Sequence, residues 1–354
     1  MGSMAPGPTA LGEAIVDLDA YRDNLDVIAE RIAPAELMAV VKGDAYGHGL
    51  LPTVATAIEQ GVTRFGVLES APGLLLRAAG IGRDISLFAW LLGPDEDFRA
   101  LIEAGIELGI SRREQLHAIE VCGAAEPALL HLKIDTGLHR NGIRPEEWDA
   151  AVARAAELEQ AASIVVEGVW SHIAEASDAE DDAARAVFDD AVRRAERAGL
   201  QPRLRHLSAS AASFARAEFR YDLARVGAFA YGIRPAGGPG EHELGIRPIG
   251  ALKADVRSVA GDRAVVGLGA LDGFPSSLSG QTEVATPAGR REIISVDLDT
   301  ITVESWTDAA PAQTVTVWGG DAPSATDHAE RIDSIGEEIA VRLSPLVPRI
   351  YRAE

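Results

Sequence analysis

A single cysteine, Cys122, occurs in the 354 residues, which excludes an internal disulfide and a cysteine-rich metal site. It falls at the end of a segment of helical period and is expected to be a small buried apolar side chain rather than a nucleophile. Basic residues are scarce beside acidic ones, 33 against 54, and the formal net charge of −21 argues against nucleic acid or an anionic membrane as a partner. Any site for an anionic ligand must therefore be locally basic. No apolar run is long enough to span a bilayer, and no signal-peptide pattern follows the opening Met-Gly-Ser-Met, which reads as vector-derived. The expected compartment is the cytoplasm. No internal repeat or low-complexity segment appears.

What is present is an ordinary globular composition, 47% hydrophobic, long enough for a barrel domain and a smaller second domain. Between residues 37 and 232, eight short apolar runs recur: 37–42, 65–69, 84–90, 107–111, 129–135, 166–173, 203–210 and 223–232. Most are separated by Ala/Glu/Arg/Leu-rich stretches of helical period, such as 181–200. Strands alternating with helices imply parallel βαβ units, and eight of them predict a closed (β/α)8 TIM barrel.

After the Gly-rich stretch 237–245 the pattern changes. Segments 251–259, 263–269, 291–305 and 314–320 alternate apolar and polar residues with period two, and one helix is expected over 325–344. This predicts a mostly β C-terminal domain with half-solvated sheets. The expected division is a barrel over 12–240 and a β domain over 241–354. The opening strand 12–18, followed by a helix over 19–32, can pair with either.

Catalytic side chains of such barrels belong at the C-terminal ends of the strands. Lys42 ends the first strand, and Lys133 and Arg140 lie at or just beyond the end of the fifth. His172 ends the sixth, Ser208 and Ser210 the seventh, and Arg225 sits within the eighth. A lysine closing an apolar strand is costly to bury unless it is paired or uncharged.

The segment Ala-Val-Val-Lys-Gly-Asp-Ala-Tyr-Gly-His-Gly around Lys42 resembles the cofactor-lysine motif of the alanine racemase family. The resemblance continues through 131–147, 169–178, 205–213 and 222–232, and covers nearly the whole chain. It implies pyridoxal 5'-phosphate held covalently by Lys42, which would also serve as the base at the substrate α-proton. By the same resemblance Tyr46, Ser210 and the amides of Gly227 and Ala228 would bind the cofactor phosphate. Arg225 would face the pyridine nitrogen and, always protonated, would keep it unprotonated, with His172 and His206 beside it as supporting donors. Arg140 would meet the substrate carboxylate. Lys133 matches a lysine that many members carry carbamylated, and Asp135 is the alternative anion to orient Arg140. The resemblance also implies a homodimer in which each β domain completes the partner's site.

The chain departs from the pattern in the β domain. Members supply a second acid–base from a tyrosine in a Gly-Tyr-Ala-Asp-Gly motif. Here Gly269, Asp272 and Gly273 match that motif and Ala270 takes the place of the tyrosine; no tyrosine lies between Tyr231 and Tyr351. Val296 stands where a methionine near the substrate carboxylate is usual, and Pro345 where some members have a further tyrosine. The exchanges at Ala270 and Val296 remove volume from the substrate side. The expected activity is racemisation of an amino acid. The alternatives are decarboxylation, elimination or aldol-type cleavage on a larger amino acid, or binding of the cofactor without turnover. No His-x-Cys pair near the C-terminus supports a metal-dependent aldolase, and no metal site is expected.

Overall fold

The computed structural model describes residues 12–175, 177–207 and 209–353. The chain forms two compact units, one of residues 28–42 and 57–227, the other of 12–27, 43–56 and 228–353.

In the first unit eight strands run parallel: β2 (Glu36–Val40), β3 (Arg64–Leu68), β4 (Ser86–Ala89), β5 (Ile106–Ile110), β6 (Ala128–Lys133), β7 (Ile164–Trp170), β8 (Leu204–His206) and β9 (Leu223–Val226). Their order is β8-β7-β6-β5-β4-β3-β2-β9. A backbone hydrogen bond from Asp222 to Arg205 (3.2 Å) links the ends of the row, beside β8 and β9. This is the expected TIM-like barrel. Its strands read as nearly unbroken apolar runs because both faces are covered, and all five residues of β5 are buried. Met38, Phe88, Trp170, Leu204 and Leu223 form an inner cluster. The helix Asp178–Arg197 carries the expected end signals, an accepting Ser177 cap, acidic residues in its first turn and arginines in its last.

The second unit is built on an antiparallel sheet of β10 (Gly250–Ala260), β11 (Arg263–Val266), β12 (Glu283–Thr286), β13 (Gly289–Val296), β14 (Ile301–Glu304) and β15 (Thr314–Trp318). Pairing of β11 with both β14 and β10 joins these six into a ring. The strand β1 (Gly12–Asp17) adds to β10 antiparallel and to β16 (Arg349–Arg352) parallel. Alternate residues of β10 are buried against Val266, Leu268, Phe274, Ile293 and Val317, the period-two pattern in three dimensions.

Three local expectations change. The run 291–305 is two strands, because residues 297–300 turn between β13 and β14. The single helix over 325–344 is two, Ala325–Glu330 and Gly336–Val341. Asp333 takes a left-handed conformation (φ 52°), which aspartate tolerates without a glycine signal. Cys122 ends the helix Arg113–Val121 half-buried rather than fully buried. Among the described residues no helix is long and apolar enough to cross a membrane.

Candidate active site

Lys42 lies two residues beyond β2 with its side chain exposed. The chain then makes one left-handed turn: Gly43, Asp44, Ala45 and Tyr46 have φ of 61°, 55°, 54° and 52°. Each non-glycine residue there costs about 1–2 kcal/mol. Hydrogen bonds from Gly47 N to Gly43 O (2.8 Å), from Gly49 N to Asp44 O (2.9 Å) and from Leu50 N to the Asp44 carboxylate (2.8 Å) oppose that cost. Strain held in this way is a mark of functional sites.

Within the barrel unit the strand ends bring several cations together. Lys133, the last residue of β6, is buried with Nζ 4.3 Å from the centre of the Trp170 ring. Burial, then Arg225 and Arg140, push its amine down to about 7, against a weaker pull from Asp135. His172, two residues past β7 and half-buried, is held well below its usual range by burial and by Arg225, Arg140, Lys133 and Lys42, in that order. Four cations thus act on one imidazole. Arg140 itself is exposed. Asp135 accepts from the Gly137 amide (3.0 Å) and from the His139 amide (3.1 Å) and ring (3.0 Å), so it is engaged by its own loop rather than by Arg140.

Arg225 is buried in β9. Its Nη2 donates to the carbonyls of Ser171 (2.7 Å) and Leu207 (3.0 Å) and approaches His172 Nδ1 at 3.4 Å, and its Nη1 lies 2.9 Å from His206 Nδ1. Toward Arg225, His206 is therefore an acceptor, not the supporting donor expected. Burial lowers the guanidinium to about 9, opposed by the Glu175 carboxylate, so it stays charged at neutral pH. Behind it, His206 Nε2 meets His131 Nδ1 at 2.9 Å, and His131 Nε2 meets Glu107 at 2.9 Å.

Ser210 opens the short helix Ser210–Ala215, and its hydroxyl accepts from the Gly227 amide at 3.2 Å. Ser208 lies outside the described residues. In the other unit, Tyr46 is buried with its ring 4.8 Å from that of Tyr231, which itself stacks on Tyr21 (5.5 Å) and His48 (5.2 Å). Burial raises the Tyr46 hydroxyl well above its usual range. Ala228 begins the 3-10 turn Ala228–Tyr231.

Ala270 and Val296 share one corner of the ring of strands. Ala270 is half-buried at the start of a single 3-10 turn, Ala270–Asp272, and its amide donates to Asp297 O, one residue beyond Val296, at 2.9 Å. The turn ends at Gly273 with φ 104°, where a Cβ would lie 2.2 Å from Arg342 O, so only glycine fits.

Two family models match in register with this architecture: the alanine racemase N-terminal domain over residues 16–235 and its C-terminal domain over 256–351. The chain belongs to the alanine racemase family. It is 39% identical to alanine racemase of Thermobifida fusca, over 97% of this chain and 98% of that one. It is 36% identical to that of Beutenbergia cavernae, over 96% and 97%. Among solved structures, alanine racemase from D-cycloserine-producing Streptomyces lavendulae superposes with a TM-score of 0.92 at 31% identity, covering 98% of each chain.

Alanine racemases depend on pyridoxal 5'-phosphate. The barrel unit suits that group chemically: a lysine amine at a strand end, a buried charged arginine and further cations stand ready for an anionic ligand in an acidic chain. The alanine racemase resemblance did not single out Glu107 and His131. Their signal is in the sequence all the same. Glu107 interrupts the apolar run of β5, and a carboxylate there needs a buried partner. His131 stands two residues before Lys133, on the same face of β6.

Proposed function

We propose that this chain is a pyridoxal 5'-phosphate enzyme acting at Cα of an amino acid, most simply as a racemase. In this reading Lys42 holds the cofactor and is the base on one face, while Ala270 leaves the other face without the family's acid. The gathering of Lys42, Lys133, Arg140 and Arg225 around His172, in a chain of net charge −21, carries the reading.

The cofactor, when bound, supplies a conjugated ring that spreads the charge left at Cα. The protein's part is positioning and proton handling. The Lys42 amine, uncharged, accepts a proton at its nitrogen. The planar Arg140 guanidinium suits a substrate carboxylate. Arg225 can only donate, so a ring nitrogen opposite it stays unprotonated, which limits charge drawn into the ring. The Ser210 hydroxyl, which accepts from the Gly227 amide, has its own proton to donate to a phosphate; Tyr46 and the Gly227 and Ala228 amides are assigned to it by resemblance alone. Ala270 cannot transfer a proton, and Val296 is smaller than methionine, so in this reading the substrate side has room for an amino acid bulkier than alanine. In this reading the working unit is a homodimer, as the resemblance implies, and it acts in the cytoplasm.

The methyl side chain at 270 favours one second reading: decarboxylation, elimination or aldol-type cleavage, none of which needs an acid on that face. Incubation in deuterated buffer with L- and D-amino acids, read by chiral chromatography and mass spectrometry, separates them. Inversion with one deuteron gained supports the racemase. Loss of carbon dioxide or of the side chain supports the second reading, and no exchange with any amino acid overturns both.

A further inference from the structure

Barrels of this kind are normally filled by branched apolar side chains. Here four polar side chains on four strands cross the interior instead. Glu107 on β5, His131 on β6, His206 on β8 and Arg225 on β9 are all buried, and three contacts of 2.9 Å join them in that order. Aromatic rings wall them in. Phe88 lies 4.6 Å from the His131 ring and 5.7 Å from that of His206, and Trp170 stacks on His206 at 5.6 Å and 4°. On β7 a Cβ at Gly168 would stand 2.4 Å from His131 Nδ1, so the strand is bare where the ring passes. Such a row is expensive unless every member is satisfied, and here the satisfaction is directional.

The two ends fix the protons. Arginine has no acceptor, so Arg225 must donate to His206 Nδ1. The His206 proton then sits on Nε2 and is given to His131 Nδ1, and the His131 proton sits on Nε2 and is given to Glu107. Glu107 can accept because it is ionised. Burial would raise its carboxyl, but the hydrogen bonds from His131 and Ser86 and the charge of Arg64 outweigh that and hold it below the usual carboxylate range. Ser86 Oγ lies at 2.7 Å and Arg64 at 3.6 Å. Burial and the flanking charges of Arg225 and Arg64 keep His206 neutral. In the reverse tautomers a His206 N–H would point at an Arg225 N–H across 2.9 Å.

We propose that Glu107 is a positioning residue for Arg225, setting through His131 and His206 the one proton arrangement in which Arg225 stays seated with its remaining N–H groups available to a ligand. The proposal rests on the reading of Arg225 as a donor to the cofactor ring. Glu107 does not touch that ligand. It acts through two imidazoles that keep a fixed tautomer and carry no proton charge.

The test uses protein with 15N-labelled histidine rings, of which the chain has eight. Long-range N–H correlation spectra are recorded with and without pyridoxal 5'-phosphate, and the two signals are assigned by His131→Gln and His206→Gln. The wild-type protein is expected to show both rings neutral and protonated on Nε2 from about pH 5 to about pH 8. Glu107→Leu is expected to give mixed tautomers at His206, a displaced visible band of the bound cofactor and an affinity for pyridoxal 5'-phosphate about ten- to a hundredfold weaker. Glu107→Gln, which keeps an acceptor, restores most of each. A charged or Nδ1-protonated His206 in the wild-type protein overturns the proposal without any variant having to fold. So does a Glu107→Leu protein whose His206 signal is unchanged. Mixed tautomers with an unmoved cofactor band support the relay and count against Arg225 facing the ring, so the two readings fail separately.

Discussion

Lys133 Nζ stands 4.3 Å from the centre of the Trp170 ring, and the same ring lies 5.0 Å from the Arg225 guanidinium on β9. A ring face attracts cations, but two of them in a dry site repel one another. Burial and the two arginines prevail, and the Lys133 amine falls from its ordinary 10.5 to about 7. Below about 7 both folded and unfolded chains hold this proton, and the fold bears the full cost of the buried charge. Between 7 and 10.5 the unfolded chain holds more protons, so stability rises with pH. In carbon-dioxide-free buffer, urea unfolding of the wild-type protein should therefore strengthen across this window by a few kcal/mol at most. Lys133→Met should lose that part of the rise. An identical pH dependence in the two proteins contradicts the low Lys133 value.

The uncharged amine is also the form that attacks carbon dioxide, forming an N–C bond and releasing one proton. In bicarbonate the native mass should increase by one carbon dioxide and revert on acidification. Lys133→Met should show no such increase. A wild-type mass unaffected by bicarbonate would mean that this lysine remains a free amine.

Borohydride should fix pyridoxal 5'-phosphate to Lys42 and abolish the visible band. The expectation comes from an exposed lysine held at a strand end ahead of a left-handed turn. Peptide mapping checks it. Cofactor trapped by borohydride in Lys42→Ala would move the attachment elsewhere.

The barrel was legible because strands covered on both faces must be apolar, and helices of period 3.6 separate them. Lys42, Lys133, His172 and Arg225 were legible because a charged or titratable residue closing such a strand needs a reason. The two strands β12 and β16 were not. Glu283–Thr286 is four residues with one buried apolar side chain, and β16 lies at a sheet edge with mostly exposed residues. The break at Asp333 was hidden because aspartate gives no glycine signal. The Glu107–His131–His206 row was missed for a different reason. Its members are 24 and 75 residues apart, and only the barrel's closure brings them into line.

Replacing Arg225 by glutamate changes a group that only donates into one that can accept. Arg225→Glu should let the cofactor ring nitrogen hold a proton, and a long-wavelength absorbance should build up when an amino acid is added. Stopped-flow spectra check this. A spectrum like the wild type, with cofactor still bound, would remove Arg225 from the ring.

The most direct test of the account is the racemisation rate of alanine by the native protein and by Ala270→Tyr, measured side by side. A positioned acid–base side chain is worth about 10²–10⁴-fold. Ala270 sits on a turn whose amide is tied to Asp297, beside Val296, so a tyrosine there starts from an ordered backbone. The native protein should turn alanine over slowly, and Ala270→Tyr should raise that rate while lowering the rate with bulkier amino acids. Native turnover of alanine at the rate of an ordinary enzyme, not increased by the tyrosine, would contradict the account and would mean that another group delivers the second proton.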